Sequence, residues 1–331
     1  MNRRDFLKVA GSGALIASTS TTSPSAQARG NLEVSSEAVG MLYDSTLCIG
    51  CRACVYKCKE VNDMPAVERD GEVQWDQAEE LSGDTLNIIK AYKHGSAETK
   101  NSAEDGFAFI KRNCMHCVDA GCVSVCPVSA MIKDPKTGIV SHDPDACIGC
   151  RYCVGACPYN VPKYEFDDAF GQIQKCQLCN QKGVERLDKG MNPGCVEVCP
   201  TGANIYGTRE ELLQEAKRRL ALKPGEDYTY PLERISSTYG HVKAAPDYTQ
   251  HVFGEHEGGG TQVMVIAGME HTKLGLPDLP DRSYASVSET VQHTIYGGML
   301  APAGVLAGLL YFARRNTSDE NSGDDNEGGE S

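Results

Sequence analysis

The chain has 331 residues, of which 40% are hydrophobic, and a formal net charge of −13 at pH 7. Residues 1–28 carry three basic residues and one acidic one, so their removal would leave a net charge of −15. This charge argues against a nucleic-acid-binding protein, because the phosphate backbone attracts basic surfaces. The 16 cysteines of the chain are its most informative feature.

The N-terminus has the pattern of an export signal. Residues 3–8 are RRDFLK, a twin-arginine sequence, and a short, weakly apolar stretch follows as far as Ala17. The sequence AQA at residues 26–28 fits a signal-peptidase site. A chance Arg-Arg pair before a general secretory signal is the alternative, but the weak hydrophobicity favours the twin-arginine route. We therefore predict a signal peptide over residues 1–28 and export of the folded body to the periplasm.

The 16 cysteines fall into four groups of four, with none left over. The first and third groups have the spacing C-x2-C-x2-C-x3-C, which holds cubane clusters in bacterial ferredoxins. The second group has a longer middle gap, and the fourth has fifteen residues between its second and third members. The groups are Cys48, Cys51, Cys54 and Cys58; Cys114, Cys117, Cys122 and Cys126; Cys147, Cys150, Cys153 and Cys157; and Cys176, Cys179, Cys195 and Cys199. They predict four [4Fe–4S] clusters, with all sixteen cysteines as iron ligands and no cysteine left for a catalytic metal.

Two other uses of cysteine fit this sequence less well. Paired C-x2-C units also bind zinc, but zinc sites take two well-separated pairs and not three cysteines within seven residues. Eight disulfides would suit an exported protein, yet cysteines two residues apart in a tight loop are poorly placed for so many bridges. In the cluster loops, Gly50 and Gly149 would let backbone N–H groups point at cluster sulfur.

Basic residues and histidines lie near the cysteines in the sequence. The basic charge either offsets the negative charge of the clusters or forms an ordinary solvated surface, and the sequence does not choose. His116, between two cysteines, fits a spacer better than a ligand, and His293 fits an interfacial anchor better than a quinone contact. The basic residues are Arg52, Lys57, Lys59, Lys111, Arg112, Arg151, Lys163 and Lys175.

The remaining sequence divides into a core and an extension. Residues 29–207 form the predicted four-cluster core, which includes an insertion over 61–106. Residues 208–290 form an extension of helix, strand and loop. Within it, apolar periodicity predicts a helix over 211–223, and a β-rich run predicts a strand over 261–267.

A hydrophobic segment near the C-terminus predicts a transmembrane helix over residues 291–313. Thr294 to Ala313 contain no formal charge, and a stretch of about 20 residues matches the bilayer core. Arg314 and Arg315 follow, and the positive-inside rule places that end in the cytoplasm. Residues 314–331 would then be an acidic cytoplasmic tail. The predicted fold class is α+β, with tandem bacterial-ferredoxin-like cluster-binding domains, insertions and one C-terminal transmembrane helix.

The cysteine-bearing segments resemble a known family. The runs MLYDSTLCIGCRACVYKC, CMHCVDAGCVSVCPVSA and CIGCRYCVGACPYNVPKYEF are similar to the four-cluster ferredoxin subunits of formate dehydrogenases and dimethyl-sulfoxide-type reductases. The segments GTREELLQEAKRRLALKPG and EGGGTQV, and RRNT after the hydrophobic segment, resemble more closely the HybA-type ferredoxin subunit of hydrogenase-2. Subunits of this family in nitrate reductase replace one cysteine and hold a three-iron cluster, whereas no cysteine is replaced here.

The resemblance implies a crossed pairing, in which the fourth cysteine of each group completes a site formed by another group. The implied sets are Cys48, Cys51 and Cys54 with Cys199; Cys176, Cys179 and Cys195 with Cys58; Cys114, Cys117 and Cys122 with Cys157; and Cys147, Cys150 and Cys153 with Cys126.

The resemblance also implies a non-catalytic electron carrier of anaerobic respiration. Its partners would be the large and small subunits of a periplasmic NiFe hydrogenase and a multi-span, quinone-reactive membrane subunit. The alternative is the same relay role in a formate dehydrogenase, polysulfide reductase or nitrite reductase complex. A catalytic oxidoreductase is disfavoured, because the sequence contains no recognisable substrate site.

Overall fold

The computed structural model describes residues 29–69, 72–74, 79–166 and 171–320. The predicted signal peptide over 1–28 and the end of the acidic tail over 321–331 lie outside the described residues. Gly30–Ala285 form one compact unit, and the described residues from Ser286 onward belong with Arg29 to another.

The described residues form short strands, several short helices and one helix of 37 residues, in agreement with the predicted mixture of α and β structure. The helices are α1 (Ala53–Val61), α2 (Gly121–Ser124), α3 (Tyr152–Ala156), α4 (Gly194–Glu197), α5 (Arg209–Leu220) and α6 (Tyr284–Glu320), and a 3-10 turn covers Glu257–Gly259. The strands are β1 (Val39–Asp44), β2 (Val67–Arg69), β3 (Glu72–Gln74), β4 (Ile88–Lys93), β5 (Thr99–Lys100), β6 (Gly106–Arg112), β7 (Met131–Lys133), β8 (Val140–His142), β9 (Lys163–Tyr164), β10 (Ile173–Gln174), β11 (Asn204–Thr208), β12 (Asp227–Pro231), β13 (Gly240–Ala244) and β14 (Val263–Ile266).

A three-stranded sheet in the order β11-β1-β14 separates two parts of the core. Strand β1 is antiparallel to β11 and parallel to β14. Because successive side chains of a strand point to opposite faces, Met41 and Tyr43 join the cluster of buried residues that contains Cys48, while Leu42 packs on the other side. The sheet therefore has one face toward cysteines and one toward α5.

Helix α5 covers the second face of this sheet and agrees with the helix predicted over 211–223. It begins two residues earlier, because Thr208 and Glu211 form a capping box that satisfies free N–H groups of the first turn. Its end at Leu220 precedes the predicted end. The strand predicted over 261–267 is also confirmed, as β14.

A buried ion network attaches α5 to β1. Arg219 is fully buried, and its guanidinium donates to Glu215 at 2.8 Å and to Asp44 at 3.1 Å. The Arg219 guanidinium also lies 5.0 Å from the centre of the Tyr230 ring. Removal of one partner would leave a buried charge unpaired, which costs about 3–5 kcal/mol. The network therefore fixes the position of β1, which leads directly into the first cysteine loop.

The segment predicted as an insertion over 61–106 contributes strands next to the cysteines. Strand β4 lies antiparallel to β6, with Ile89 opposite Lys111. Strand β5 extends the same sheet on the other side of β6.

Short helices bring the cysteine groups together in pairs. Helix α1 of the first group packs against α4 of the fourth, and α2 of the second packs against α3 of the third. Helices α1 and α3 each begin after an arginine in the left-handed conformation, with φ of 59° at Arg52 and 63° at Arg151. Groups that are distant in the sequence thus become neighbours, as a crossed pairing requires.

Helix α6 includes the segment predicted to cross the membrane, over 291–313. Several large apolar side chains on α6 are exposed, including Ile295, Met299 and Leu310. Among the residues that the structure describes, however, no helix has both the length and the apolarity needed to cross a membrane.

Candidate functional site

The sixteen cysteines all lie within the described residues, and none of them forms a disulfide. In the described part of the chain, no three His, Cys, Asp or Glu side chains are close enough to hold a single metal ion. A cubane cluster spreads its four thiolates over the corners of a cube, whereas zinc needs its ligands about 2.0–2.3 Å from one point.

The first set of cysteines, site A, consists of Cys48, Cys51, Cys54 and Cys199. These four line one cavity together with Tyr43, Ile89 and Ala203. Burial raises the pKa of Tyr43 well above its usual value, and the thiolates of Cys48, Cys54 and Cys199 raise it further. The structure therefore brings the last cysteine of the fourth group to the first three of the first group.

The second set, site B, consists of Cys58, Cys176, Cys179 and Cys195, all of which are buried. Burial raises the pKa of Cys58 well above its usual value, and the other three thiolates of the set raise it further. Burial and the neighbouring Cys195 thiolate also raise the pKa of Cys179 to about 11.

The other two sets form in the same way. Site C consists of Cys114, Cys117, Cys122 and Cys157, and site D consists of Cys126, Cys147, Cys150 and Cys153. Burial raises the pKa of Cys117 well above its usual value, and the other three thiolates of site C contribute. Burial also raises the pKa of Cys153 to about 11, with contributions from the other three members of site D.

Neighbouring sites follow one another in the order A, B, C, D. Site A adjoins site B, because Cys48 and Cys195 belong to the same cluster of buried residues. Site B adjoins site C, because Cys58, Cys176 and Cys114 share a second buried cluster. Site C adjoins site D, because Cys122 packs against the buried cluster that contains Cys153. Exposed cysteines occur only at the two ends of this row, as Cys51 in site A and Cys150 in site D.

Hydrogen-bond donors point at thiol sulfurs of several sites. The Lys111 ammonium donates to Cys195 Sγ at 3.1 Å, and the Asn204 amide donates to the same sulfur at 3.4 Å. Burial by itself would lower the pKa of Lys111, but the Cys195 and Cys54 thiolates raise it overall. The backbone N–H of Gly50 donates to Cys48 Sγ at 3.4 Å. Four thiols per set, with donors on the sulfurs, fit the ligand shell of a cubane cluster.

The structure divides the basic residues that the sequence left undecided. Lys59, Lys111 and Lys175 are buried, Arg151 is exposed, and the other four are partly buried. The Lys59 ammonium donates to Pro65 O at 2.8 Å, and that of Lys175 donates to Cys176 O at 3.1 Å. The buried lysines therefore act inside the protein, next to the cysteines, while Arg151 belongs to the solvated surface.

The sequence analysis missed several residues that lie at the sites. Tyr43, Lys133 and Asn204 are near thiols because strands β1, β7 and β11 carry them there. The Lys133 ammonium donates to Cys117 O at 3.0 Å, and burial lowers its pKa to about 8. No local pattern distinguishes these residues, because each is far in the sequence from at least one cysteine that it faces. His116, interpreted as a spacer, is fully buried.

Comparisons with known proteins agree with this site. A family model described as a 4Fe–4S dicluster domain matches residues 106–209. The chain is 54% identical over 329 residues to the hydrogenase-2 operon protein HybA of Escherichia coli O157:H7, covering 99% of this chain and 100% of that protein. It is 31% identical to the formate dehydrogenase-O iron–sulfur subunit of Escherichia coli K12, covering 84% and 81% of the two chains. It is 34% identical to protein NrfC of the same strain, covering 73% and 98%.

Proposed function

The chain belongs to the family of the hydrogenase-2 operon protein HybA, and from this membership we propose that it is the electron-transfer subunit of a hydrogenase complex. Each of sites A to D holds one [4Fe–4S] cluster, and the sixteen cysteines are the iron ligands. The observation that carries the proposal is the grouping of these cysteines into four sets that adjoin one another in a row. The chain has no catalytic site of its own.

The residues of the chain hold and tune the clusters, and the clusters supply the one-electron chemistry. The α1–α4 and α2–α3 pairs bring the ligands of each site together. Burial of site B keeps water from its thiolates, and Lys111 places a positive charge beside them. Donors and positive charge next to a cluster favour its reduced, more negative state. Electrons enter and leave at the ends of the row, where Cys51 and Cys150 are exposed.

The partners in this proposal are a NiFe hydrogenase, with its large and small subunits, and a multi-span membrane subunit that reacts with quinone. The similarity to HybA supports the hydrogenase. The similarity to the formate dehydrogenase-O iron–sulfur subunit and to NrfC supports a second candidate, the same relay in a formate dehydrogenase or nitrite reductase complex. A protein with cysteine ligands and no substrate site can serve any of these, so the partner decides the overall reaction.

The location in this proposal is the periplasmic face of the inner membrane. The twin-arginine sequence at residues 3–8 directs export, and the apolar side chains of segment 291–313 attach the subunit to the membrane. Arg314 and Arg315 at the end of this segment favour a cytoplasmic C-terminus.

Two experiments test the location. The double substitution Arg3→Lys with Arg4→Lys should block export and leave the precursor in the cytoplasm. Protease added to spheroplasts should then digest the body of the exported parent protein, and alkaline extraction should leave segment 291–313 with the membrane.

Metal analysis tests the cluster assignment. Protein purified without oxygen should contain about sixteen irons and about sixteen acid-labile sulfides, four of each per cluster. Zinc in place of iron, or about eight irons, would contradict the assignment of four clusters.

Gene deletion tests the circuit. Loss of this chain should abolish hydrogen-dependent reduction of quinone, while hydrogen oxidation with an artificial dye should largely persist, because the dye accepts electrons before the relay. Complementation with the parent chain is the control. If deletion instead stops formate- or nitrite-linked respiration and spares hydrogen oxidation by quinone, the hydrogenase assignment is wrong and the second candidate is right.

A further inference from the structure

His116 lies between Cys114 and Cys117, two members of site C, and its side chain is fully buried. Its backbone φ is 47°, in the left-handed region that few residues other than glycine adopt. Strand β8 holds the ring in place, because the backbone N–H of Val140 donates to His116 Nδ1 at 3.0 Å. Val140 belongs to a cluster of buried residues against which Cys117 and Cys122 pack. The ring is therefore held by a strand that packs against site C.

The hydrogen bond from Val140 determines which ring nitrogen carries the proton. Nδ1 accepts a hydrogen bond, so it has no proton of its own, and the proton of the neutral ring is on Nε2. A ring rotated by half a turn would place carbon opposite the Val140 N–H and lose this bond. His116 thus presents an N–H donor at Nε2.

This donor has no acceptor within the part of the chain that the structure describes. A buried N–H without an acceptor is destabilising, and such groups are rare in folded proteins. Lys133 and Lys175, whose charges act on the ring, cannot accept this hydrogen bond, because an ammonium group is a donor only. Lys133 already donates to Cys117 O and Gly138 O, and Lys175 donates to Val140 O and Cys176 O.

We propose that Nε2–H of His116 donates a hydrogen bond to a sulfur of the cluster in site C and raises the reduction potential of that cluster. This inference rests on the proposed function, because it needs a cluster in site C. A hydrogen bond to cluster sulfur stabilises the reduced state more than the oxidised one, since the reduced state carries more negative charge. His116 is a positioning and tuning residue and not an iron ligand, because four thiols already complete the site.

The first experiment detects the hydrogen bond in the parent protein. Histidine labelled with ¹⁵N is incorporated, and pulsed EPR measures the nitrogen coupling to each reduced cluster. The cluster of site C should show a histidine ¹⁵N coupling. Its EPR signal is identified as the one lost in Cys122→Ser. A site C signal without this coupling would overturn the inference and leave the cluster assignment intact.

The second experiment measures the effect on the potential. His116→Phe keeps the ring size and removes both nitrogens, and His116→Gln restores an N–H donor. Loss of one neutral hydrogen bond should lower the equilibrium constant for reduction of the site C cluster about tenfold, or about 59 mV for one electron. His116→Gln should recover part of this shift. The other three clusters should change less than twofold.

A matched variant separates tuning from general destabilisation. His271 is also buried, but its Nε2 is 3.2 Å from Val265 O and its ring stacks on Phe253. His271→Phe should weaken the fold without a change in any cluster potential. Equal shifts in His116→Phe and His271→Phe would overturn the inference. If the parent protein has no cluster signal that depends on Cys122, the cluster assignment of site C is itself wrong.

Discussion

Two loops of the chain have the same sequence, CIGCR, at residues 48–52 and 147–151. The structure gives them the same backbone. Their glycines have φ of 71° and 69°, and their arginines have φ of 59° and 63°. In both loops the isoleucine is more than half exposed, at 55% and 65%. Identical local sequence has therefore produced an identical loop, and each loop contributes its cysteines to one end of the row of sites.

The surroundings of the two loops differ. In the first loop Cys48 is buried in the main core, and a Cβ added to Gly50 would lie 2.4 Å from the Phe109 ring. In the second loop a Cβ on Gly149 would meet nothing closer than 3.5 Å. Arg151 of the second loop is exposed and lies over the Tyr164 ring at 5.0 Å. The motif thus sets the conformation of the loop, while distant segments set its packing and its exposure to water.

Removal of a ligand from each loop should give the largest effect. Cys51→Ser and Cys150→Ser should each remove one cluster, about four of about sixteen irons. We expect Cys51→Ser to destabilise the protein more, because loss of a cluster from site A leaves a cavity next to Tyr43, Ile89 and Ala203 in the core. Iron analysis and anaerobic thermal unfolding measure both effects. Equal unfolding temperatures for the two variants would show that the core does not depend on site A.

Substitution of the glycines tests the packing difference directly. Both Gly50→Ala and Gly149→Ala place a Cβ on a left-handed residue, which costs about 1–2 kcal/mol. Gly50→Ala also forces the Phe109 ring to move, and overpacking of this kind costs about 1–3 kcal/mol more. Anaerobic thermal unfolding should therefore show the larger loss of stability for Gly50→Ala. A larger loss for Gly149→Ala would contradict the packing described here.

Removal of a positive charge near each loop should give the smallest effect. Lys100 is partly buried and donates to Thr46 O at 2.7 Å. Burial raises the pKa of Cys48, and the positive charge of Lys100 reduces this increase. Lys100→Met should lower the equilibrium constant for reduction of the site A cluster roughly tenfold, about 59 mV for one electron. Arg151→Met should change the equilibrium constant for reduction of the site D cluster less than about threefold, because water and salt screen an exposed charge. EPR-monitored redox titration measures both, and a larger shift for Arg151→Met would contradict this ranking.

Some elements of the fold could be predicted from local pattern alone. The helix at Arg209–Leu220 follows from apolar periodicity, and β14 from a run of β-branched and apolar residues. Strand β13, at Gly240–Ala244, was not predicted. It is mostly exposed and has no buried face, so its sequence lacks the alternation of apolar and polar residues that indicates a strand. Its position depends on pairing with β12, with Tyr228 opposite Lys243.

The sequence by itself determined the chemistry of the sites and the shape of their loops. Cysteine spacing is a local property at sites A, C and D, where three of the four cysteines lie within nine residues of one another, whereas fifteen residues separate Cys179 from Cys195 at site B. Tertiary structure decided which charged side chains lie next to each site and how exposed each cysteine is. The position of β6 brings Lys111 to Cys195, 84 residues away in the sequence, and the fold leaves Cys150 exposed. Burial and the position of charges depend on segments that meet only after folding, and these set how stable each site is and how readily it accepts an electron.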